Sequence, residues 1–179
     1  MGVRLLQKEV AGVNYEEQFL EALLELKSKG VNGVVFGDID VQQNRQWSES
    51  VCRRAGLKSY FPLWEIDQRS ILTDFLDSGF KAVVVVLNSR FFPEEDLGKP
   101  IDRKWLDHLS VLNAGDNSPH IAYCGENGEY HTFVFDGPSF RFPVDFRLGE
   151  RVYREGYWLI DLQPLGKGLH KAIGNVDRS

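Results

Sequence analysis

With 179 residues, 42% of them hydrophobic, the chain is large enough for one domain, or one domain with an appendage, around a real core. Its 26 acidic residues against 21 Lys and Arg give a formal net charge of −5, which argues against non-specific nucleic-acid binding and against an anionic membrane surface. The longest apolar run, Ala82 to Leu87, is strand-sized, well short of the about 18 residues of a membrane span, and MGVRLLQKEV lacks the charged-then-apolar order of a secretion signal. The two cysteines, Cys52 and Cys124, stand far apart and outside any C-x-x-C pattern, which argues against a disulfide scaffold or structural zinc and fits a reducing cytoplasm.

The first half alternates strand and helix. Gly2 to Val10 reads as a strand. Asn14 can cap a helix, with Glu17 placed to bond back, and Phe19, Ala22, Leu23 and Leu26 form its apolar stripe up to Gly30. Gly33 to Phe36 is a short buried strand. The next helix puts Trp47, Val51 and Ala55 on one face and stops at Gly56. Ser59 to Trp64 reads as extended, at an edge or strand end because of Pro62. Asp67 can cap a helix carrying Ile71, Leu72, Phe75 and Leu76, ended by Gly79. Phe80 to Asn88 is apolar on both faces and reads as a fully buried strand. This order implies a parallel sheet covered by helices on both sides.

The rhythm then changes. Phe92 to Pro100 is a loop, and Asp102 caps a helix carrying Trp105, Leu106, Leu109 and Leu112. After Asn113 the period becomes two: Phe140, Phe142, Val144 and Phe146 alternate with polar residues or proline, HTFVF precedes them, and Asp136 to Ser139 makes the turn between. Tyr157 to Leu162 is a further strand. The expected organisation is an α/β nucleotide-binding-type domain over residues 1–113, a small antiparallel β unit over 114–163, and a loose tail over 164–179.

In an open α/β sheet, ligands bind beyond the carboxyl ends of the strands. Gly37-Asp38-Ile39-Asp40, Pro62-Leu63-Trp64 and Asn88-Ser89-Arg90 fall there. A glycine directly after a strand lets a ligand approach the backbone. Asp38 suits ribose hydroxyls, a metal, or simply the cap of the following helix. Arg45 and Glu49 are four apart, as an ion pair on a solvated helix face would be. The stretch CGENGEYHT, Cys124 to Thr132, places Glu126 and Glu129 around an Asn-Gly pair. The plain reading is an Asn-Gly hairpin turn with acids for solubility. The functional one has both carboxylates on one side of a loop, toward a cationic amine or a metal with its phosphate.

GDI (Gly37 to Ile39), R-x-W-x-E-x-V-C (Arg45 to Cys52), AGL (Ala55 to Leu57), PLW (Pro62 to Trp64), the GFKAVVV strand, LG (Leu97 and Gly98) and CGENGEYHTFVFDGP stand in an order and spacing that closely resemble the diphthine–ammonia ligase (diphthamide synthase) family. This is the ATP-pyrophosphatase group of the adenine-nucleotide alpha-hydrolase superfamily. The resemblance covers about residues 2 to 162. The family's loop is commonly C-G-E-G-G-E; Asn127 replaces the first middle glycine, a form similar to the bacterial branch. The resemblance implies a Rossmann-like (HUP-type) parallel sheet and an enzyme that adenylates a carboxylate with ATP and Mg2+, after which ammonia displaces AMP. The acceptor would be a small molecule or a protein. In the founding members it is diphthine on an elongation factor; bacteria are not expected to carry that modification, so the chemistry transfers better than the substrate. Glu126 and Glu129 would orient the acceptor. Gly37, Asp38 and Ile39 would lie beside the nucleotide. Gly125, Asn127, Gly128, Arg45, Glu49 and Trp64 would contact the substrate. No metal ligand is assigned, and neither nucleic acid nor a membrane is an expected partner.

One departure stands out. The family's phosphate loop, Ser-Gly-Gly-x-Asp-Ser, occurs nowhere in these residues. By register, Gly2 to Val10 matches the family's third strand, so the sheet is expected to be N-terminally truncated, with a gap in the strand order 3-2-1-4-5. A shortened chain, a decayed paralogue, or a missing half supplied by a partner chain, a homodimer among the options, would each account for that. The rival expectation is therefore a nucleotide- or ligand-binding module without catalysis.

Overall fold

Helix α1 (Tyr15–Ser28) forms where the apolar stripe runs, and Leu23 is its buried member. Helix α2 (Gln42–Ala55) buries Ser48, Val51, Cys52 and Ala55, and Gly56 ends it in the left-handed conformation, φ 66°, that a side chain would resist. Strands β1 (Gly33–Val35) and β2 (Lys58–Tyr60) pair in parallel, Gly33 opposite Lys58 and Val35 opposite Tyr60. Leu23 of α1, Val51, Cys52 and Ala55 of α2, and Leu57 make one core, with Phe19, Val34, Phe36 and Trp47 packed against it. Burial raises the pKa of the Cys52 thiol, as for a cysteine that serves packing.

The structure, a computed structural model, describes residues 4–8, 14–116 and 118–165. The chain divides into two compact units between Ile71 and Leu72, within α3 (Gln68–Asp77). In the second unit, β3 (Lys81–Asn88) is central to a four-stranded antiparallel sheet of order β4-β3-β6-β5, with β4 Tyr130–Asp136, β5 Phe146–Arg154 and β6 Tyr157–Pro164. Helix α4 (Arg103–Leu112) lays Trp105, Leu106 and Leu109 into a core shared with Leu72, Ala82, Val84, Leu87, Phe92 and Tyr130. Asp102 caps α4, its carboxylate accepting the Trp105 amide at 3.0 Å. The loop after β3 is tied back to that strand: Val84 N–H donates to Lys99 O, Gly98 N–H to Val84 O and Ile101 N–H to Ala82 O, each at 2.9 Å. The fold is α/β, with a small parallel sheet and helices followed by the antiparallel sheet. Among the described residues no helix is long and apolar enough to cross a membrane.

Several expectations need correction. The strand expected over Gly2 to Val10 is not seen in residues 4–8, which are exposed coil with Leu5 80% accessible; the rest of that stretch, like the tail from Gly166, lies outside the described residues. A strand is held by its ladder, and no described strand pairs with these residues. Asn14 makes no side-chain cap bond; its ψ of 29° departs from the extended geometry a cap needs. The extended Ser59 to Trp64 stops at Tyr60, and Pro62 to Glu65 is a turn. The all-apolar β3 is buried as expected but runs antiparallel to both neighbours, so the parallel sheet among the described residues is β1 and β2 alone. The alternation from Phe140 to Val144 is no strand: Pro143 removes a ladder donor, and Phe142 is 72% exposed. The strand there is β5, which begins at Phe146, the last apolar residue of that alternation, and runs on to Arg154, an extension not expected because its charged residues mask the period.

Two outcomes test this packing. Leu109 is fully buried, so Leu109→Ala is expected to cost about 2–5 kcal/mol in chemical denaturation. Asp67 caps α3 through bonds from the Ser70 amide at 2.8 Å and hydroxyl at 2.9 Å, which hold its carboxyl below the ordinary 3.8. Its stabilisation is then fully present above the unfolded value and lost as pH falls through the lower folded one. Asp67→Ala should lower Tm at neutral pH, with the deficit from the parent shrinking below about pH 4.

Candidate functional site

In the first unit three short stretches meet. The segment after β1 carries Gly37, Asp38 and Ile39. Ile39 is buried, and its carbonyl accepts the Glu65 amide at 2.8 Å, which fastens the GDI segment to the PLW turn. Glu65 takes φ 60°, unusual for a residue with a Cβ, so the turn is held in a specific shape. A Cβ at Gly37 would meet open space, which leaves the backbone there accessible. Asp38 does not cap α2: Val41 is the N-cap residue, with no side-chain bond, and the Asp38 carboxylate instead accepts the Ser48 hydroxyl at 3.3 Å.

On α2, Arg45 donates from Nε to Glu49 Oε1 at 2.9 Å. Its guanidinium also lies 4.5 Å over the Trp64 ring and 5.1 Å over Phe61. Phe61 in turn stacks on Phe36 at 5.3 Å and meets Trp64 edge-on at 6.3 Å. The expected i,i+4 ion pair is present, yet its face is half-buried and aromatic: the Arg45 and Glu49 side chains are 32% and 36% exposed. Among the described residues, hydrogen bonding to this guanidinium uses Nε, so its Nη edge is left for a ligand. A cation immobilised by two rings and a carboxylate loses little entropy on taking an oxyanion in bidentate fashion. Beside Asp38, a cleft of about 410 Å³ is walled by Tyr15, Phe19, Phe36 and Trp47, with Asn44 and Ser48 as polar members. These aromatic residues were read from sequence as core stripe or passed over. Phe36 and Phe61 directly precede GDI and PLW, and that adjacency was the available signal.

In the second unit, CGENGEYHT is two successive β-turns: Gly125 N–H donates to Ala122 O and Gly128 N–H to Gly125 O, both at 3.0 Å. Glu126 and Asn127 are the central residues of the second turn, so this is no two-residue Asn-Gly hairpin. Gly125 has φ 72°, and a Cβ there would lie 2.6 Å from the Tyr130 carbonyl; glycine is required. The two carboxylates part company. Glu129 is 3% exposed and turned into its own loop, accepting the Ala122 amide at 2.9 Å, the Asn127 amide at 3.0 Å and the Asn127 side-chain amide at 3.3 Å. Glu126 is half-buried, Asn127 exposed and Gly128 half-buried. Glu129 thus shapes the loop that presents Glu126 and Asn127. Tyr130 follows it into the core, its hydroxyl donating to Tyr123 O and its ring edge-on to Trp105 at 5.3 Å; burial pushes its pKa up.

Comparison with known proteins agrees with these motifs. Residues 1–59 match the family model described as diphthamide synthase N-terminal domain, and residues 67–164 the one described as diphthamide synthase C-terminal domain. The chain belongs to the diphthamide synthase family. It is 39% identical over 111 residues to a diphthine–ammonia ligase of Schizosaccharomyces pombe, an alignment covering 62% of this chain and 18% of that protein. It is 33% identical over 127 residues to the Bos taurus protein of that name and 31% identical over 127 residues to the Homo sapiens one, covering 70% of this chain and 46% of each. The chain therefore spans about half the length of the two mammalian proteins and less of the yeast one.

Glu129→Ala leaves buried donors without their acceptor and is expected to cost about 2–4 kcal/mol in denaturant melts. A change below about 0.5 kcal/mol, as at an ordinary surface position, would show that the loop does not depend on this carboxylate.

Proposed function

We propose that this chain carries ligand-holding elements of an ATP-dependent amide-forming ligase of the diphthine–ammonia ligase type, on a Rossmann-like (HUP-type) α/β base. The supporting observation is the Arg45 clamp: GDI, R-x-W-x-E and PLW, separate in sequence, converge through the Glu65–Ile39 bond and the stacking of Arg45 on Trp64. The residues suit a nucleotide. The aromatic walls beside Asp38 fit a flat base, the Asp38 carboxylate can accept ribose hydroxyls, and open space at Gly37 allows close approach. Mg2+ would come with the phosphates, since it is usually held by one or two carboxylates together with phosphate oxygens.

ATP supplies activation. The acceptor carboxylate oxygen attacks the α-phosphorus with loss of pyrophosphate, and ammonia then attacks the acyl carbon with loss of AMP. In this reading the Nη edge of Arg45 holds an oxyanion, Glu49 and Trp64 keep that edge fixed, and catalysis is chiefly positioning and charge stabilisation. The loop Gly125–Asn127–Gly128 is the acceptor side: Glu126 meets a cationic group on the acceptor while Glu129 holds the loop's shape. The acceptor is a carboxylate on a small molecule or protein, diphthine being the one the relatives' names supply. A second reading is a nucleotide- or ligand-binding module without turnover, for which the cleft beside Asp38 and the Arg45 clamp would suffice.

The test is AMP release that depends on both ammonia and a diphthine-bearing protein, with the amide confirmed by mass spectrometry. Arg45→Met and Glu126→Gln are expected to lower this rate by about two orders of magnitude each, the value of a lost charge-assisted contact. An unchanged rate in Arg45→Met would overturn the role given to the clamp. ATP binding without acceptor-dependent AMP release would identify the binding module.

A further inference from the structure

A further constellation of charged groups lies in the second unit, apart from the residues assigned to nucleotide or acceptor above. Asp96, at the end of a 3-10 turn (Glu94–Asp96), is 2% exposed. Its Oδ1 pairs with the Lys99 ammonium, and its Oδ2 lies 3.2 Å from His108 Nε2 on α4. A carboxylate so deeply buried must be paired and hydrogen-bonded, and Asp96 holds both of its partners in doing so. Both partners are fixed from behind as well. The Lys99 backbone is zipped to β3 through the Val84 amide, and the His108 ring packs against Trp105 at 5.7 Å and Phe92 at 6.3 Å.

Lys99 and His108 line one cavity of about 340 Å³, together with Lys104, Asp102, Pro100 and Trp105. Its volume falls in the lower range of small-molecule pockets. The acids near it are already engaged, Asp96 by Lys99 and His108, and Asp102 by the Trp105 amide. The basic groups keep donors in hand: an ammonium carries three N–H bonds, and Asp96 takes one from Lys99. Lys104 is exposed at the rim. Trp105 and Pro100 add an apolar wall.

We propose that this pocket is a binding site for a small organic oxyanion, a carboxylate or phosphate on a compact apolar body, gripped by Lys99, Lys104 and His108, with Asp96 as the residue that positions two of the three. The proposal does not depend on the ligase reading.

The test uses the full chain, with inorganic phosphate and benzoate as probes, followed by the His108 ring signals in proton–nitrogen spectra and by calorimetry. Saturable shifts of the His108 ring with either probe are expected; benzoate alone would assign a carboxylate ligand and phosphate alone a phosphate. Lys104→Met, at an exposed position that leaves the Asp96 pairs intact, should weaken the bound probe roughly tenfold or more. His108→Gln should weaken it as well. Absence of saturable shifts with both probes, or equal affinity in Lys104→Met, would overturn the proposal.

Discussion

A carboxylate removed from water must be met by donors, and the donors that meet Glu129 determine the form of the CGENGEYHT segment. Its side chain gathers the Ala122 and Asn127 amides into one loop, while its own carbonyl accepts the Asn88 amide at 2.9 Å, at the end of β3. The next residue, Tyr130, enters the aromatic core with Trp105 and Phe92. One buried acid therefore joins the end of the central strand, the turn that presents Glu126, and the ring cluster beneath α4. Gly125 completes the arrangement, because its space beside the Tyr130 carbonyl admits no side chain. The loop is thus a pre-shaped element, its form fixed from within by one carboxylate.

The Arg45 clamp solves a similar problem with different forces. Arginine carries about 2 kcal/mol of rotamer entropy, and an exposed one loses it each time it binds. Here the Phe61 and Trp64 rings and the Glu49 carboxylate have restricted the side chain before any ligand arrives. The PLW turn carries a left-handed Glu65 whose amide donates to the carbonyl of buried Ile39, a bond that offsets the strain of that backbone.

What was legible in the sequence were features set by local chemistry. The caps at Asp67 and Asp102, the glycine stops at Gly56 and Gly79, and the apolar faces of α2 and α4 all depend on residues within a few positions of one another. The partners of β3 were not legible. An all-apolar run reports burial on both faces and says nothing of strand direction, and its neighbours β4 and β6 lie more than 40 residues further on. The Phe140 to Val144 alternation misled because period two needs a ladder as well as a pattern, and Pro143 cannot donate to one. At the site, the sequence pointed to the residues around Arg45 and to its pair with Glu49, but not to the aromatic contacts of its guanidinium. Glu126 and Glu129 look equivalent in the string Glu-Asn-Gly-Glu; only the fold shows that one is turned inward.

The central claim, that Glu129 orders the loop from within, is tested most directly by amide hydrogen exchange resolved at Ala122 and Asn127 in the parent chain and in Glu129→Gln. A carboxylate accepts from both amides, whereas the glutamine side chain would turn an N–H toward one of them. The account expects both amides to be slow in the parent chain and at least one to become fast in the variant, with the β3 amides Val83 and Val84 unchanged. Fast exchange at Ala122 and Asn127 in the parent, or equal protection in the variant, would contradict it.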